Sequence, residues 1–212
     1  MNYLKSMQRR LAGDEGARIV SDLLNPLSLP LLVFGVAGLT TNASFRSIAE
    51  VMAASTLLFF IIPFLAAAIV MKVNPGTTSD FRSRSARSGL YLISCLSVGL
   101  GGLLFFSEIY SNTYRVILVT YFVNLLIAMG INFKWKASVH VGSAITASVL
   151  LIWLATLDGA GFGPFFVALI ILVFLPILAW ARIQLRVHSR FEILLGGVTG
   201  LICTIPSILL LA

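Results

Sequence analysis

The chain has 212 residues, 58% of them hydrophobic and only 11% charged, with a mean hydropathy of +1.00. Soluble globular domains carry about 25% charged residues, so this composition excludes one and describes a chain whose solvent is a lipid bilayer. The formal charge of +7 would suggest a nucleic-acid partner in a soluble protein. In a membrane chain, basic cytoplasmic loops and an anion site account for it, and no nucleic-acid partner is expected.

Residues 1–22 hold Lys5, Arg9, Arg10, Asp14, Glu15, Arg18 and Asp22, with no apolar core before Leu23, which argues against a signal peptide. Leu4, Met7, Leu11, Ile19 and Leu23 recur at near-helical spacing. The segment is therefore expected to be an interfacial amphipathic helix whose arginines meet anionic headgroups; a solvated basic tail is the alternative.

Uncharged apolar runs then cover 23–45, 51–71, 88–107, 116–133, 141–157, 159–181 and 193–212. A membrane span takes about 17–25 mainly apolar residues. The expectation is an all-α fold: one transmembrane domain over 23–212, a polytopic bundle of six or seven spans in the cell (inner) membrane. The first run decides the number, because Asn25, Pro26 and Pro30 interrupt it and a kinked or re-entrant segment is the alternative to a crossing. Cys95 and Cys203 each fall inside a run, without a CxxC neighbour or a nearby histidine; neither a disulfide nor a zinc site is expected. Asn124, the one strongly polar side chain in mid-run, reads as an interhelical hydrogen-bond partner, and Gly196 with Gly200 as a small-xxx-small helix contact.

Seven crossings put the N-terminus and the loops 72–87, 134–140 and 182–192 on one face, which then carries every Lys and Arg except Arg46 and Arg115. The positive-inside rule makes that face cytoplasmic. If the first run re-enters, the three loops still stay together. They join successive helix pairs, so they converge at one end of a bundle and can line one pocket at headgroup level. The first brings Asp80, Arg82, Arg84 and Arg87, the second Lys136, Ser138 and His140, the third Arg182, His188 and Glu192.

The third loop has the most specific chemistry. His188 and Glu192 are four residues apart and share a face if helical; the carboxylate can then fix the imidazole tautomer and leave the other nitrogen free to attack phosphorus. Arg182 offers a bidentate fork to phosphate oxygens. In the second loop Ser138 and the amides of an opening helix suit an anion, Lys136 adds charge, and His140 can protonate a leaving alkoxide. Snorkelling arginines, a capping serine and interfacial histidines are the plainer reading of the same residues. Against it stands the fact that the chain has only 2 histidines and both fall on this face.

Ser138-Val139-His140 resembles the second motif, and Arg182-x5-His188-x3-Glu192 the third motif, of the type 2 phosphatidic acid phosphatase (lipid phosphate phosphatase) superfamily. The Asn25-Pro26-x3-Pro30 stretch, the Thr78-Ser79-Asp80 loop and the junctions at Trp135-Lys136 and Trp180-Ala181-Arg182 are similar to a compact bacterial branch over nearly the whole chain. The resemblance implies a helical bundle that uses no metal or other cofactor and acts on a lipid phosphate monoester or diphosphate. It also implies His188 as nucleophile, His140 as general acid, Glu192 as orienting carboxylate, and Arg182 with Ser138 as phosphate ligands. The chain departs from the pattern at Ala137, Val139, Ala181 and Glu192. In the first motif Asp80 stands where a lysine belongs and Ser88 follows Arg87 in place of a proline. Arg87 and Arg84 are the remaining phosphate contacts there, with Lys136 from the second loop.

Other chemistries lack their residues. There is no DxxxD to hold Mg²⁺ on a diphosphate and no HExxH; no charge lies inside an apolar run and no inverted repeat is visible, as a transporter would need. Two readings remain: a metal-independent membrane phosphatase acting on a lipid phosphate, or a non-catalytic relative that serves as a lipid-binding partner or subunit of a membrane protein complex.

Overall fold

The computed structural model describes residues 2–41, 44–73, 84–105, 112–157 and 159–212, which are helical apart from short turns, with no strand among them. Asp80 and Arg82 lie outside the described residues, as does the side chain of Arg84. The helices are α1 Asn2–Leu23, α2 Leu29–Thr40, α3 Phe45–Val73, α4 Arg84–Phe105, α5 Asn112–Asn132, α6 Val139–Leu154, α7 Gly163–Gln184 and α8 Arg190–Leu211.

Among the described residues five helices, α3, α4, α5, α7 and α8, are long and apolar enough to cross a membrane. Their outward faces expose large apolar side chains such as Phe166, Ile170 and Leu194, as lipid contact requires. The chain is a membrane-embedded helical bundle.

The first apolar run is broken where the sequence is interrupted. Asn25 Oδ1 accepts the Leu27 N–H at 2.9 Å, the Asn25 carbonyl accepts from Ser28 and Leu29, and Pro30 occupies the first turn of α2, where its missing N–H costs nothing. The 12 residues of α2 reach about 18 Å, well short of a hydrocarbon core of about 30 Å. The 16 residues of α6 reach about 24 Å. Both are core helices: Val33, Phe34 and Ala37 of α2, and Ala144, Ala147, Leu150, Leu151 and Leu154 of α6, are all 0% exposed.

α3 contains a π-helical turn, Thr56–Ile61, in which Ile62 N–H donates to the Leu57 carbonyl. The next rung would run from residue 63 to the Leu58 carbonyl, but Pro63 has no N–H to give. Ser97 Oγ of α4 donates to that orphaned carbonyl at 2.9 Å. A proline thus widens one helix and its neighbour supplies the lost bond.

α6 and α8 touch backbone to backbone. A Cβ on Gly200 would stand 2.6 Å from the Gly142 carbonyl oxygen, and one on Gly196 would strike the Ser138 carbonyl; only glycine permits this approach. Deeper in, Thr146 Oγ1 donates to Asn124 Oδ1 (3.3 Å) and Thr204 Oγ1 to Thr146 Oγ1 (3.1 Å). Asn124 therefore joins α5, α6 and α8, the interhelical role its sequence position suggested. At the far end Asn112 Nδ2 of α5 donates to the Leu211 carbonyl of α8, so α5 begins where α8 ends. Cys95 and Cys203 are buried in α4 and α8.

Candidate active site

The spacing from Arg182 to Glu192 follows from two turn motifs set end to end. α7 closes in a Schellman motif: Arg186 N–H donates to the Ile183 carbonyl (2.9 Å) and Val187 N–H to the Arg182 carbonyl (3.3 Å). This requires a left-handed residue after the cap, and Arg186, with φ of 54°, takes that conformation without being glycine. α8 opens two residues later with a capping box. Ser189 Oγ accepts from Glu192 N–H (3.3 Å) and Glu192 Oε2 accepts from Ser189 N–H (2.8 Å). His188 is the single residue between the two motifs, so its main chain is fixed from both sides.

The second loop is held against this turn. Ser138 N–H donates to the Glu192 carbonyl at 2.9 Å, and Lys136 Nζ donates to the Val187 carbonyl at 2.6 Å. The glycine contact then lays the start of α6, with His140, along the start of α8. The first loop contributes through Arg87, whose Nε donates to Asn132 Oδ1 at 2.8 Å, while Asn132 Nδ2 donates to Ser88 Oγ at 2.9 Å.

These elements enclose a cavity of about 300 Å³ whose walls include Arg87, Lys136, Ser138, His140, Arg182 and His188, a volume at the lower end of small-ligand sites. It runs on into the bundle to Phe59, Tyr121, Asn124, Leu125 and Thr146. Along the α6 axis, Ser138 to Thr146 is about 12 Å. One end is cationic and the other mainly apolar.

The electrostatics at the cationic end are one-sided. His188 is only 6% exposed at its side chain. Its burial, and then the charges of Arg182, Lys136 and Arg87, lower its pKa from 6.5 to about 3, against a weaker opposing hydrogen bond with the Lys136 main chain. The imidazole is neutral at physiological pH and keeps a lone pair. Its Nδ1 has no hydrogen-bond partner and lies 3.5 Å from Glu192 Oε2. Ser138 caps α6 by position, yet its side chain makes no capping bond, and its buried hydroxyl has no partner. Arg182 is 4% exposed, and its Nη1 donates to Ser21 Oγ of α1 at 2.7 Å.

Of the residues singled out in the sequence, His140, His188, Arg182, Ser138, Lys136 and Arg87 meet in this one cavity. Glu192 stands behind His188, on the outer side with Ser189. Three contributors were not visible in advance: Asn132, which clamps Arg87; Ser21, which holds Arg182; and Arg18 and Asp22 of the same α1 face, which with Asn25 beyond it wall the cavity. Asn132 ends an apolar run at the same face, a signal that could have marked it; Ser21 gave none. Among the described residues no group of three or more His, Cys, Asp and Glu side chains is arranged to hold a metal ion. Neither a family model, nor a curated protein, nor a solved structure matches the chain.

Proposed function

We propose that the protein is an integral membrane phosphatase that hydrolyses a lipid phosphate monoester or diphosphate through a phosphohistidine. The observation that carries this reading is the convergence of both histidines with Arg87, Lys136 and Arg182, from three loops far apart in sequence, on one cavity that continues into an apolar interior. A phosphate on a hydrocarbon chain matches both ends.

In this mechanism Arg182, Arg87, Lys136 and the Ser138 hydroxyl hold the phosphate oxygens and neutralise the charge that gathers on them. The neutral His188 attacks phosphorus, forming a P–N bond as the P–O bond to the lipid breaks, and His140, which takes up a proton together with the entering phosphate anion, gives that proton to the departing alkoxide. Water then attacks the phosphohistidine. His140 takes a proton from that water, the P–N bond breaks, and inorganic phosphate leaves with His188 restored. Glu192 steadies the positive charge that appears on the His188 ring during attack. On this reading α6 joins the five longer helices as a sixth, shortened crossing, α2 is a half-span, and the cationic face is cytoplasmic.

The test is phosphate release by the purified protein in detergent from phosphatidate, phosphatidylglycerophosphate and polyprenyl phosphates and diphosphates, followed by acid-labile trapping of labelled phosphate. Label on His188 supports the scheme. Turnover by His188→Ala at the wild-type rate rejects it and leaves a non-catalytic, lipid-binding membrane subunit as the better account.

A further inference from the structure

α1 is more than a surface anchor. Arg18, Ser21 and Asp22 are spaced so as to share one face of α1, and together with Asn25, just past the helix end, they line the cavity. The helix is seated by Ala17, 0% exposed, and Val20 against Ala181, Leu185 and Val187 of the α7 end. Gln184 Nε2 adds a hydrogen bond to Asp14 Oδ1 at 3.1 Å. At the centre of this contact Ser21, 3% exposed, accepts a hydrogen bond from Arg182, 4% exposed.

We infer that Ser21 is a positioning residue: its hydroxyl oxygen holds Arg182 Nη1 and so fixes the plane in which the guanidinium, with its Nε, meets the phosphate. A guanidinium recognises phosphate through two parallel bonds, so a rotated fork loses affinity although its charge is unchanged. Ser21 accepts from Nη1 and thereby sets the orientation in which the group meets the ligand. α1 becomes part of the anion site, and the site is complete only while α1 is seated on α7. The effect on turnover rests on the phosphatase reading; the effect on anion affinity rests on the cavity alone.

The experiment uses the full chain in detergent, with inorganic phosphate affinity from ligand-dependent thermal unfolding and kcat and KM for phosphate release from dioleoyl phosphatidate. Ser21→Ala is expected to weaken phosphate affinity and kcat/KM on the order of tenfold, the scale of a lost hydrogen bond to a charged group. Ser21→Thr, which keeps the oxygen, restores both. Ser21→Cys keeps the volume with only a weak acceptor and behaves as Ala, so the outcome does not hang on one variant's folding. Asp14→Ala removes a second polar α1–α7 bond, that to Gln184, and stays within about twofold of wild type. In an Arg182→Lys background, which has no fork to orient, Ser21→Ala adds no further loss.

Equal phosphate affinity in wild type and Ser21→Ala overturns the inference. So does a loss from Asp14→Ala that matches Ser21→Ala, or additive losses in the double variant, since either makes Ser21 a docking contact only. If phosphate binds with the expected Ser21 dependence while no lipid phosphate is turned over, the positioning role stands and the phosphatase reading falls.

Discussion

The Nδ1 of His188 lies 3.5 Å from Glu192 Oε2, and that same oxygen accepts the Ser189 N–H at 2.8 Å. One carboxylate therefore serves a helix cap and faces an imidazole, and the two duties separate by substitution. Glu192→Gln keeps an amide oxygen for the cap and removes the charge beside the ring. It is expected to fold normally and retain a measurable residual rate of phosphate release, with His188→Ala inactive. Ser189→Ala removes the cap hydroxyl and is expected to cost about 1 kcal/mol of stability, read by thermal unfolding, with activity largely kept. An inactive Glu192→Gln of wild-type stability would make the carboxylate indispensable to the chemistry.

The role of His140 is read through the leaving group. A lipid alkoxide needs a proton as it departs and p-nitrophenolate scarcely does. His140→Ala should depress kcat/KM for phosphatidate by on the order of 10²-fold, and for p-nitrophenyl phosphate by much less. Equal losses on the two substrates would remove the general-acid assignment.

The depressed pKa of His188 has a defined sign. The ring is neutral in the folded protein down to about pH 3, whereas unfolded it takes a proton near 6.5. As pH falls from about 6.5 toward 3, the unfolded state gains a proton that the folded state does not, and stability declines through that window. Above it the group contributes nothing. In His140→Gln the only histidine left is His188, so its ¹⁵N shifts report one ring; they should stay those of neutral imidazole at pH 5. A midpoint near 6.5 would show that neither burial nor the cations act on it.

Arg186 occupies a left-handed position, φ 54°, that glycine fills at less cost. Arg186→Gly should raise stability by about 0.5–1 kcal/mol without displacing His188, measured by thermal unfolding and by unchanged kcat. A drop in kcat with raised stability would assign the Arg186 side chain to the site.

Bundle architecture and the gathering of Arg87, Lys136, Arg182 and both histidines at one end were legible because hydropathy and charge act along the chain itself. Asn124, Gly196 and Gly200 were legible for a related reason, since a polar or small residue in an apolar run has few uses other than helix contact. The breaks were visible as Asn25, Pro26 and Pro30, but whether the run crossed depended on where α2 packs, which is a tertiary matter. Ser21 was invisible: it is an ordinary serine on a charged helix, and its partner is 161 residues away. The Schellman turn was missed because its left-handed residue is an arginine. The capping box hid behind the chemistry, as Ser189 and Glu192 fit the cap as well as Glu192 fits a histidine partner.

The glycine crossing of α6 and α8 has a consequence for how such a site can diversify. His140 rides on one helix and His188 sits just ahead of the other, and the gauge between those helices is the thickness of two peptide chains in contact at Gly142, Gly196 and Gly200. No exchange of side chains can narrow that gap, and any Cβ at Gly196 or Gly200 widens it. The two imidazoles are thus held at a constant separation. Adaptation of the cavity to a ligand of another shape must fall to the other walls, namely the α1 face, the π-turn of α3 and the adjoining side of α4.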